Sequence, residues 1–353
     1  MNIRQRIASA YRGHLCDRVP WTIYRGLLPQ TPAAEAMQKK GLGLFQSAAP
    51  YSAATPNVKY EDREAVEDGR KVRYRTYCTP AGTLTQKWLF ETGYGSWWTK
   101  VYPIKGPKDY EVLEFIIRDT TYRPNFENFL KSQRDMGDAG IVLAPVERPP
   151  FQKLWIQWAG LERVVVDLHE DPEPVERVLK AMFERQLEMF SIIAHSPAEF
   201  VWCPDNITGE VAGPPIFNRY MVPHYDALDR VLHPKGKRLV SHMDGMMRCL
   251  VECVRQTKLD VIEAFTPPPD GNLRLDEALA AWPHKTISIN FPSSVHLAKS
   301  EDIRPATMEL LDHAGDGRRF VMGVTENIPA DVWERSLGVI TDTLAEHGRC
   351  PLP

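Results

Sequence analysis

The sequence lacks three features that define large classes of protein. Its six cysteines include no Cys-x-x-Cys pair, which argues against a disulfide-stapled scaffold and against a zinc site built from cysteines alone. No apolar run reaches the roughly 18 to 20 residues that a membrane span needs, and the amino terminus has no apolar core of signal-peptide type, so we expect a cytoplasmic protein. The basic residues form no cluster and the net charge is -3, which argues against a nucleic-acid or anionic membrane surface. A small molecule or another protein is the expected partner.

A glycine-rich phosphate loop is also missing after every predicted strand. In the carboxyl half, short apolar strands alternate with amphipathic helices, which is typical of parallel βα units. Strands are predicted at 199–205, 237–245, 260–267, 285–292 and 318–326, and helices at 215–232, 246–257, 274–282, 300–315 and 330–348. Five consecutive units without a phosphate loop favour an α/β fold of the (β/α)8 TIM-barrel type over a doubly wound sheet.

The amino half is less regular. The stretch "VPWTIY" (19–24) predicts the first barrel strand and "IVLAPV" (141–146) a later one. Between them, residues 70–90 alternate with a period of two around a Pro-Ala-Gly turn, which predicts a β-hairpin. We expect a single barrel domain over 1–353, with residues 60–135 as an insertion or lid over the barrel mouth.

An aromatic-rich segment follows the predicted hairpin. Glycines there are interleaved with Phe90, Tyr94, Trp97, Trp98 and Tyr102. Two alternatives fit this pattern. Either some of the rings form a wall over an apolar ligand, with Trp97 and Trp98 as substrate-binding residues, or the rings pack in the protein interior.

Polar residues stand where the predicted barrel strands end, which is where the reacting groups of TIM barrels lie. These residues are Asp205, Asn206, His242, Asp244, Glu263, Asn290, Glu326 and Asn327. Several acids and one imidazole directed into a single cavity would repel one another unless a cation lay between them, and a divalent metal meets that need. In the alternative, His242 caps a loop and the acids bind arginines such as Arg25 or Arg248.

The order of these elements resembles the uroporphyrinogen decarboxylase superfamily, which includes corrinoid-dependent methyltransferases. The resemblance rests on "DRVPW" near the start, on "GPPIFNRYMVPHYDALDRVLHPKGKRLVSHMDG" and on "FVMGVTENIPADVWERSLGVITDTLAEHG". The decarboxylases have an arginine-rich string in the first βα region, where this sequence has Arg25 alone. Decarboxylation of a substrate with many carboxylates needs several cationic partners, so the resemblance points to the methyltransferase branch.

Zinc is the metal that the resemblance implies. In the thiol-methylating members it is held by His-x-Cys and by a cysteine after the last strand. This sequence matches the histidine with His242, but has Asp244 and Glu326 at the two cysteine positions. Oxygen ligands make zinc a harder Lewis acid, which suits an oxygen substrate such as an aryl methyl ether.

The resemblance therefore predicts a methyltransferase that removes the methyl group of a methoxylated aromatic compound and passes it to a corrinoid protein. The string "DLHEDP" (167–172) has proline where a corrinoid-binding module has glycine, so it is interpreted as a helix cap, and the corrinoid is expected on a separate protein. The predicted metal ligands are His242, Asp244, Glu263 and Glu326. Asp205 and Asn206 would orient substrate or transfer protons, Asn290 would hydrogen-bond substrate, and Tyr24 and Arg25 would lie at the mouth of the first strand.

Two other functions remain open from the sequence. One is a metal-free decarboxylase or lyase that uses Arg25 and the acids for proton transfer. The other is a non-catalytic protein that binds an aromatic ligand under the tryptophan-rich segment. The sequence also leaves the oligomeric state open, with a homodimer among the alternatives.

Overall fold

The structure, a computed structural model, describes residues 1–93 and 95–352. Its strands are β1 (Trp21–Tyr24), β2 (Leu42–Ser47), β3 (Tyr51–Ala54), β4 (Lys59–Glu67), β5 (Arg70–Thr79), β6 (Gly82–Glu91), β7 (Ser96–Val101), β8 (Thr121–Pro124), β9 (Gly140–Pro145), β10 (Phe200–Cys203), β11 (Arg238–His242), β12 (Val261–Phe265), β13 (Thr286–Ile289) and β14 (Phe320–Val324).

The α-helices are α1 (Ile3–Tyr11), α2 (Pro32–Lys39), α3 (Asp109–Asp119), α4 (Phe126–Met136), α5 (Pro150–Lys153), α6 (Leu161–Glu170), α7 (Pro172–Ala194), α8 (Pro214–Ile216), α9 (Val222–Leu232), α10 (Val251–Gln256), α11 (Leu275–Ala281), α12 (Ser293–His296), α13 (Ser300–Asp312) and α14 (Trp333–His347). A wider, π-helical turn at Phe217–Met221 joins α8 to α9, so the helix predicted at 215–232 is present with an irregular start. None of the helices in the described residues combines the length and the apolarity needed to cross a membrane.

Eight parallel strands close into a barrel in the order β1-β14-β13-β12-β11-β10-β9-β2. The predicted α/β fold of the TIM-barrel type is thereby confirmed, and each strand predicted for the barrel is present. The eighth strand, β2, was not predicted. Strands β12, β13 and β14 are buried along their whole length, because the parallel strands of such a barrel have the interior on one face and helices on the other.

The chain divides into two compact units. The barrel unit consists of Met1–Pro50, Asn125–Val146 and Ile193–Pro353, and the second unit consists of Tyr51–Pro124 and Glu147–Ile192. Residues 125–135, which the sequence assigned to the insertion, therefore group with the barrel. The lid role over the barrel mouth stays a prediction.

Side chains of α1, among them Ile7, Ala10 and Tyr11, belong to the apolar cluster inside the barrel. A capping box starts the helix, in which the Asn2 side chain accepts from the Gln5 amide and the Gln5 side chain accepts from the Asn2 amide. Tyr11, at the other end, packs edge-to-face on Phe200, the first residue of β10, at 5.5 Å between ring centroids. The hydroxyl of Thr286, the first residue of β13, donates to the Ala10 carbonyl at 2.7 Å. These contacts place α1 against the amino ends of the strands, which leaves the carboxyl ends for function.

Basic residues also bind the amino ends of the strands to neighbouring helices and loops. Each lies at or just before a strand and donates to backbone carbonyls. They are Arg18 (to Leu344 and Ala345), Lys237 (to Ser196 and Ala198), Lys285 (to Thr257 and Leu259) and Arg319 (to Leu279, Trp282 and Lys285). Buried carbonyls left by ending helices and loops thereby obtain donors.

His233 joins this end of the barrel through two carboxylates. Its Nδ1 lies 2.6 Å from Asp229 and its Nε2 lies 2.7 Å from Asp260. The hydrogen bond with Asp260 is the largest cause of a raised His233 pKa, and the one with Asp229 adds to it against the opposing effect of burial. Arg238 binds the other oxygen of Asp260 at 2.7 Å.

We expect His233 to make stability depend on pH. The stabilisation by its charged form is complete below the unfolded pKa of about 6.5 and is lost as pH rises through the raised folded pKa. His233→Gln should therefore cost about 1–3 kcal/mol in slightly acid solution and clearly less in alkaline solution. Urea unfolding of both proteins across this pH range measures the difference. A difference that does not change with pH would contradict the assignment.

The second unit contains a two-stranded antiparallel sheet of β3 and β8 and a four-stranded antiparallel sheet in the order β4-β5-β6-β7. The predicted hairpin at 70–90 is confirmed as β5 and β6, and Thr79 holds its turn by accepting from the Ala81 amide and donating to the Gly82 carbonyl. The string 167–172 joins α6 to α7, with Asp171 as the C-cap of α6 and Pro172 as the first residue of α7. Asp167 itself lies inside α6, where it accepts a hydrogen bond from the Tyr110 hydroxyl at 2.8 Å.

Trp97 and Trp98 are neighbours on β7. Successive side chains of a strand point to opposite faces, so the two rings cannot form one continuous wall. Trp97 packs on Phe90 at 5.3 Å and lies under the Arg73 guanidinium, whereas Trp98 is 48% exposed. Tyr94, from the same aromatic segment, lies outside the described residues. The substrate-binding role of both tryptophans stays a prediction.

Candidate active site

The ends of three barrel strands bring an imidazole, a carboxylate and a phenol together. His242 ends β11 and lies directly beside Glu263 in the register of β11 and β12. The alternation of each strand places His242 on the same face as Val240, and Glu263 on the same face as Val261, and both valines belong to the cluster inside the barrel. Tyr24 ends β1 and packs against the same cluster.

Glu263 is the centre of this arrangement. Its side chain is 1% exposed, and a carboxylate buried to this degree needs hydrogen-bond donors. The Tyr24 hydroxyl donates to Oε1 at 2.8 Å, while Trp202 Nε1 at 3.0 Å and His242 Nδ1 at 2.8 Å reach Oε2. Three strands other than β12 thus supply hydrogen-bond donors to the Glu263 side chain inside the barrel.

Asp244 lies on the other side of the imidazole. Its Oδ2 is 3.4 Å from His242 Nε2 and accepts a hydrogen bond from the Asn206 amide at 3.1 Å. Burial alone would lower the pKa of His242, but the charge of Glu263 and the hydrogen bonds with both carboxylates outweigh it and raise the pKa to about 10. Burial and the Glu263 charge raise the pKa of Tyr24 well above its usual value. Tyr24, His242, Asp244 and Glu263, which we call the acid–imidazole group, thus contain two proton donors at neutral pH.

Unusual backbone conformations flank the acid–imidazole group. Ala264 has a φ of 57°, and the register between β12 and β13 shifts between Glu263 and Phe265. A residue with a Cβ is rarely found at this φ, and such irregularities re-aim side chains next to functional sites. Asn206 has a φ of 55°, which asparagine tolerates better than most residues, and this bend presents its amide to Asp244.

Three aromatic rings pack beside the acid–imidazole group. Tyr24, Phe45 and Trp202 lie 4.9 to 6.2 Å apart between centroids, and Trp202 meets the His242 ring edge-on at 6.1 Å. The sequence interpretation missed Phe45 and Trp202 and sought the aromatic surface at Trp97 and Trp98. The sequence feature that could have indicated these two residues is a large aromatic residue near the carboxyl end of a short strand.

The structure separates several predicted site residues from the acid–imidazole group. Asp205 is fully buried where α9 packs on β11, and its Oδ2 accepts from the Tyr225 hydroxyl at 2.8 Å and from the Ser241 hydroxyl. Ser241 faces away from His242 because the two are successive residues of one strand. These contacts give Asp205 a structural role, and its predicted role toward substrate stays a prediction.

Asn290, Glu326 and Arg25 also have other contacts. Asn290 is buried and accepts from the Thr325 amide at 2.9 Å, which links the ends of β13 and β14. Glu326 is exposed and accepts from the Ser293 hydroxyl at 2.5 Å. Arg25 is exposed and donates to Gln46 at 2.8 Å, while Arg248 pairs with Glu277. The alternative in which the acids bind these two arginines is therefore not what the structure shows.

The zinc ion that the resemblance implies does not fit the acid–imidazole group in this arrangement. The raised pKa keeps His242 protonated between two carboxylates, whereas a zinc ligand has to be a neutral imidazole with an unprotonated ring nitrogen. Within residues 1–93 and 95–352, no three His, Cys, Asp or Glu side chains form a cluster that could hold a metal ion. Zinc stays a prediction, and the described group is an acid–base network.

Comparisons with known proteins show the family to which this barrel belongs. Residues 157–347 match the family model for uroporphyrinogen decarboxylase. A methyltransferase from Methanosarcina mazei shares the fold with a TM-score of 0.58 and 11% identity, over 98% of this chain and 99% of that chain. The pneumococcal virulence factor StrH aligns at a TM-score of 0.37 and 9% identity, over 96% of this chain and 85% of that chain. The comparison with curated proteins finds no match. Since the family model covers more than half of its length, the chain belongs to the uroporphyrinogen decarboxylase family.

Proposed function

We propose that the protein is a methyltransferase that removes the methyl group of a methoxylated aromatic compound and passes it to a corrinoid protein. Family membership and the shared fold with the Methanosarcina mazei methyltransferase support this proposal. The observation that carries it is the acid–imidazole group, which holds two proton donors beside aromatic rings at the carboxyl end of the barrel.

An aryl methyl ether resists demethylation because phenolate is a poor leaving group. A proton placed on the ether oxygen lets the ring leave as a neutral phenol, while the C–O electron pair stays with that oxygen. The His242 imidazolium is the proposed donor, through Nε2, because its contact with Asp244 at 3.4 Å is longer than that of Nδ1 with Glu263 at 2.8 Å. Tyr24 supplies a second donor. A reduced corrinoid on a separate protein would supply the nucleophile that accepts the methyl group.

The aromatic residues beside His242 are proposed to bind the ring of the substrate. The rings of Tyr24 and Trp202 are only partly buried and lie next to His242. A flat methoxylated ring that packs on them would bring its ether oxygen toward the imidazole, because aromatic rings favour offset or edge-on contacts. Arg25 is the single arginine of the first βα region, and one of its N–H groups already donates to Gln46, so a substrate with several carboxylates would find one cation there, which disfavours the decarboxylase alternative.

The function is tested with a panel of methoxyphenols and methoxybenzoates, reduced cobalamin and the purified protein. We expect one equivalent of the phenol for each methyl group transferred. Release of carbon dioxide without methyl transfer would favour the decarboxylase or lyase. Saturable binding with no product from any compound would favour the binding protein.

The role of metal is tested separately. Proton donation predicts that treatment with a chelator leaves methyl transfer unchanged and that the purified protein carries well under one zinc ion per chain. Elemental analysis of wild type and His242→Ala measures this. One zinc per chain in wild type, lost in the variant together with activity, would replace proton donation by the zinc mechanism that the resemblance implies.

A further inference from the structure

A cavity of about 700 Å³ lies at the amino end of the barrel strands, remote from the carboxyl ends that carry the acid–imidazole group. Residues 255–260, before β12, and residues 280–285, before β13, form most of its wall, and His233 and Arg238 complete it. This volume falls in the range of about 300–1,000 Å³ that is usual for small-molecule sites.

The lining of this cavity is strongly basic. Six of its side chains are cationic or can become so: His233, Arg238, Arg255, Lys258, His284 and Lys285. Asp260 is the acid among the lining residues, and it is already engaged. Its Oδ1 binds Arg238 at 2.7 Å and its Oδ2 binds His233 at 2.7 Å. The cavity is therefore left with an excess of positive charge.

The excess positive charge of the cavity comes most directly from two lysines, Lys285 and Lys258. Lys285 is buried, and its ammonium donates to the carbonyls of Thr257 and Leu259 rather than to a carboxylate. Burial, opposed by the charge of Asp260 and aided by that of Lys258, lowers the Lys285 pKa to about 8. The exposed side chains of Lys258 and His284 form no hydrogen bond or ion pair with any described residue. An anion in the cavity would relieve the repulsion between the two lysines.

We propose that this cavity binds a small molecule that carries an oxyanion, either a phosphoryl or a carboxylate group. Lys258 and His284 contact the oxyanion. Arg255 lies in the same wall, where it donates to the Ala281 carbonyl at 3.2 Å and pairs with Glu252 at 2.9 Å. Ala280, Ala281 and Pro283 give the apolar part of the ligand a surface. This site is independent of the proposed methyl transfer.

The test uses the full chain with inorganic phosphate and citrate as probes, titrated by calorimetry and by thermal unfolding at constant ionic strength. We expect saturable binding of at least one probe and a rise in the unfolding temperature. Lys258→Glu should weaken binding at least about tenfold, because it replaces a charge-assisted contact by repulsion. Phosphate binding alone would assign the phosphoryl class, and citrate binding alone the carboxylate class.

Lys299→Glu is the matched control, since Lys299 is exposed and lies before α13, outside the cavity lining. It should bind the probes as wild type does. His284→Ala provides a second variant if Lys258→Glu unfolds at a lower temperature without ligand. Binding that chloride reproduces, or that both cavity variants retain, would overturn the proposal. Methyl transfer by Lys258→Glu should equal that of wild type whichever result is found.

Discussion

Glu263→Gln should lower the rate of methyl transfer about 10²–10⁴-fold, which is the range that positioned proton transfer contributes. Glu263 accepts from Tyr24, Trp202 and His242, and its charge holds the imidazole protonated. A carboxamide offers one acceptor oxygen and an NH2 group that cannot accept, so at least one buried donor loses its partner. The imidazolium loses the adjacent charge as well, and the proposed proton donor is removed.

Single-turnover formation of the phenol measures this loss in folded protein. Glu326→Gln is the matched control, because the same change is made at a predicted metal ligand that lies exposed beside Ser293. It should retain nearly full activity. Equal losses in the two variants would contradict the acid–imidazole group and restore the four-residue metal site expected from the sequence.

Asp205→Ala should lower the free energy of unfolding by about 3 kcal/mol and leave the turnover of the folded protein nearly unchanged. The change leaves the hydroxyls of Tyr225 and Ser241 buried without their acceptor, and each unsatisfied group of this kind costs about 1–3 kcal/mol. Burial and the neighbouring Asp205 charge raise the Tyr225 pKa well above its usual value, so its hydroxyl remains a neutral donor.

Urea unfolding and steady-state kinetics on the same samples measure both effects. Asp205→Asn keeps the shape and one acceptor oxygen, so it should destabilise the protein less than Asp205→Ala. A large fall in turnover with unchanged stability would show that Asp205 takes part in the chemistry, as the sequence suggested. Glu263 and Asp205 are both buried acids, and these experiments separate a chemical role from a structural one.

The barrel could be predicted because its strands are apolar and its helices amphipathic. Strands β10 to β14 follow one another with helices between them, and that alternation is visible in the sequence. Strand β2 was missed because "LGLFQS" contains a glycine and two polar residues and resembles a loop. Gly43 is required there, since a Cβ would lie 2.6 Å from Ile3 of α1, a contact that no local pattern reveals.

The candidate site could be predicted only in part. His242 and Glu263 lie inside strands, so their direction follows from the alternation of each strand. Asp205 and Glu326 lie just beyond strand ends, where the loop conformation decides the direction of a side chain. Phe45 and Trp202 were not predicted as site residues, because an aromatic residue in a short strand has the same pattern whether it packs in the core or borders the site.

Strand β1 has its partner at the far end of the chain, with Thr22 and Met322 in contact 300 positions apart. During synthesis the ribosome must therefore release β1 long before β14 exists, and the growing sheet has two unpaired edges throughout that interval. Open edges recruit other chains, and pairings of such long range form slowly. We therefore expect chaperones that shield the nascent sheet to raise the yield of folded protein, and a truncation that removes β14 to produce aggregates instead of a smaller folded protein.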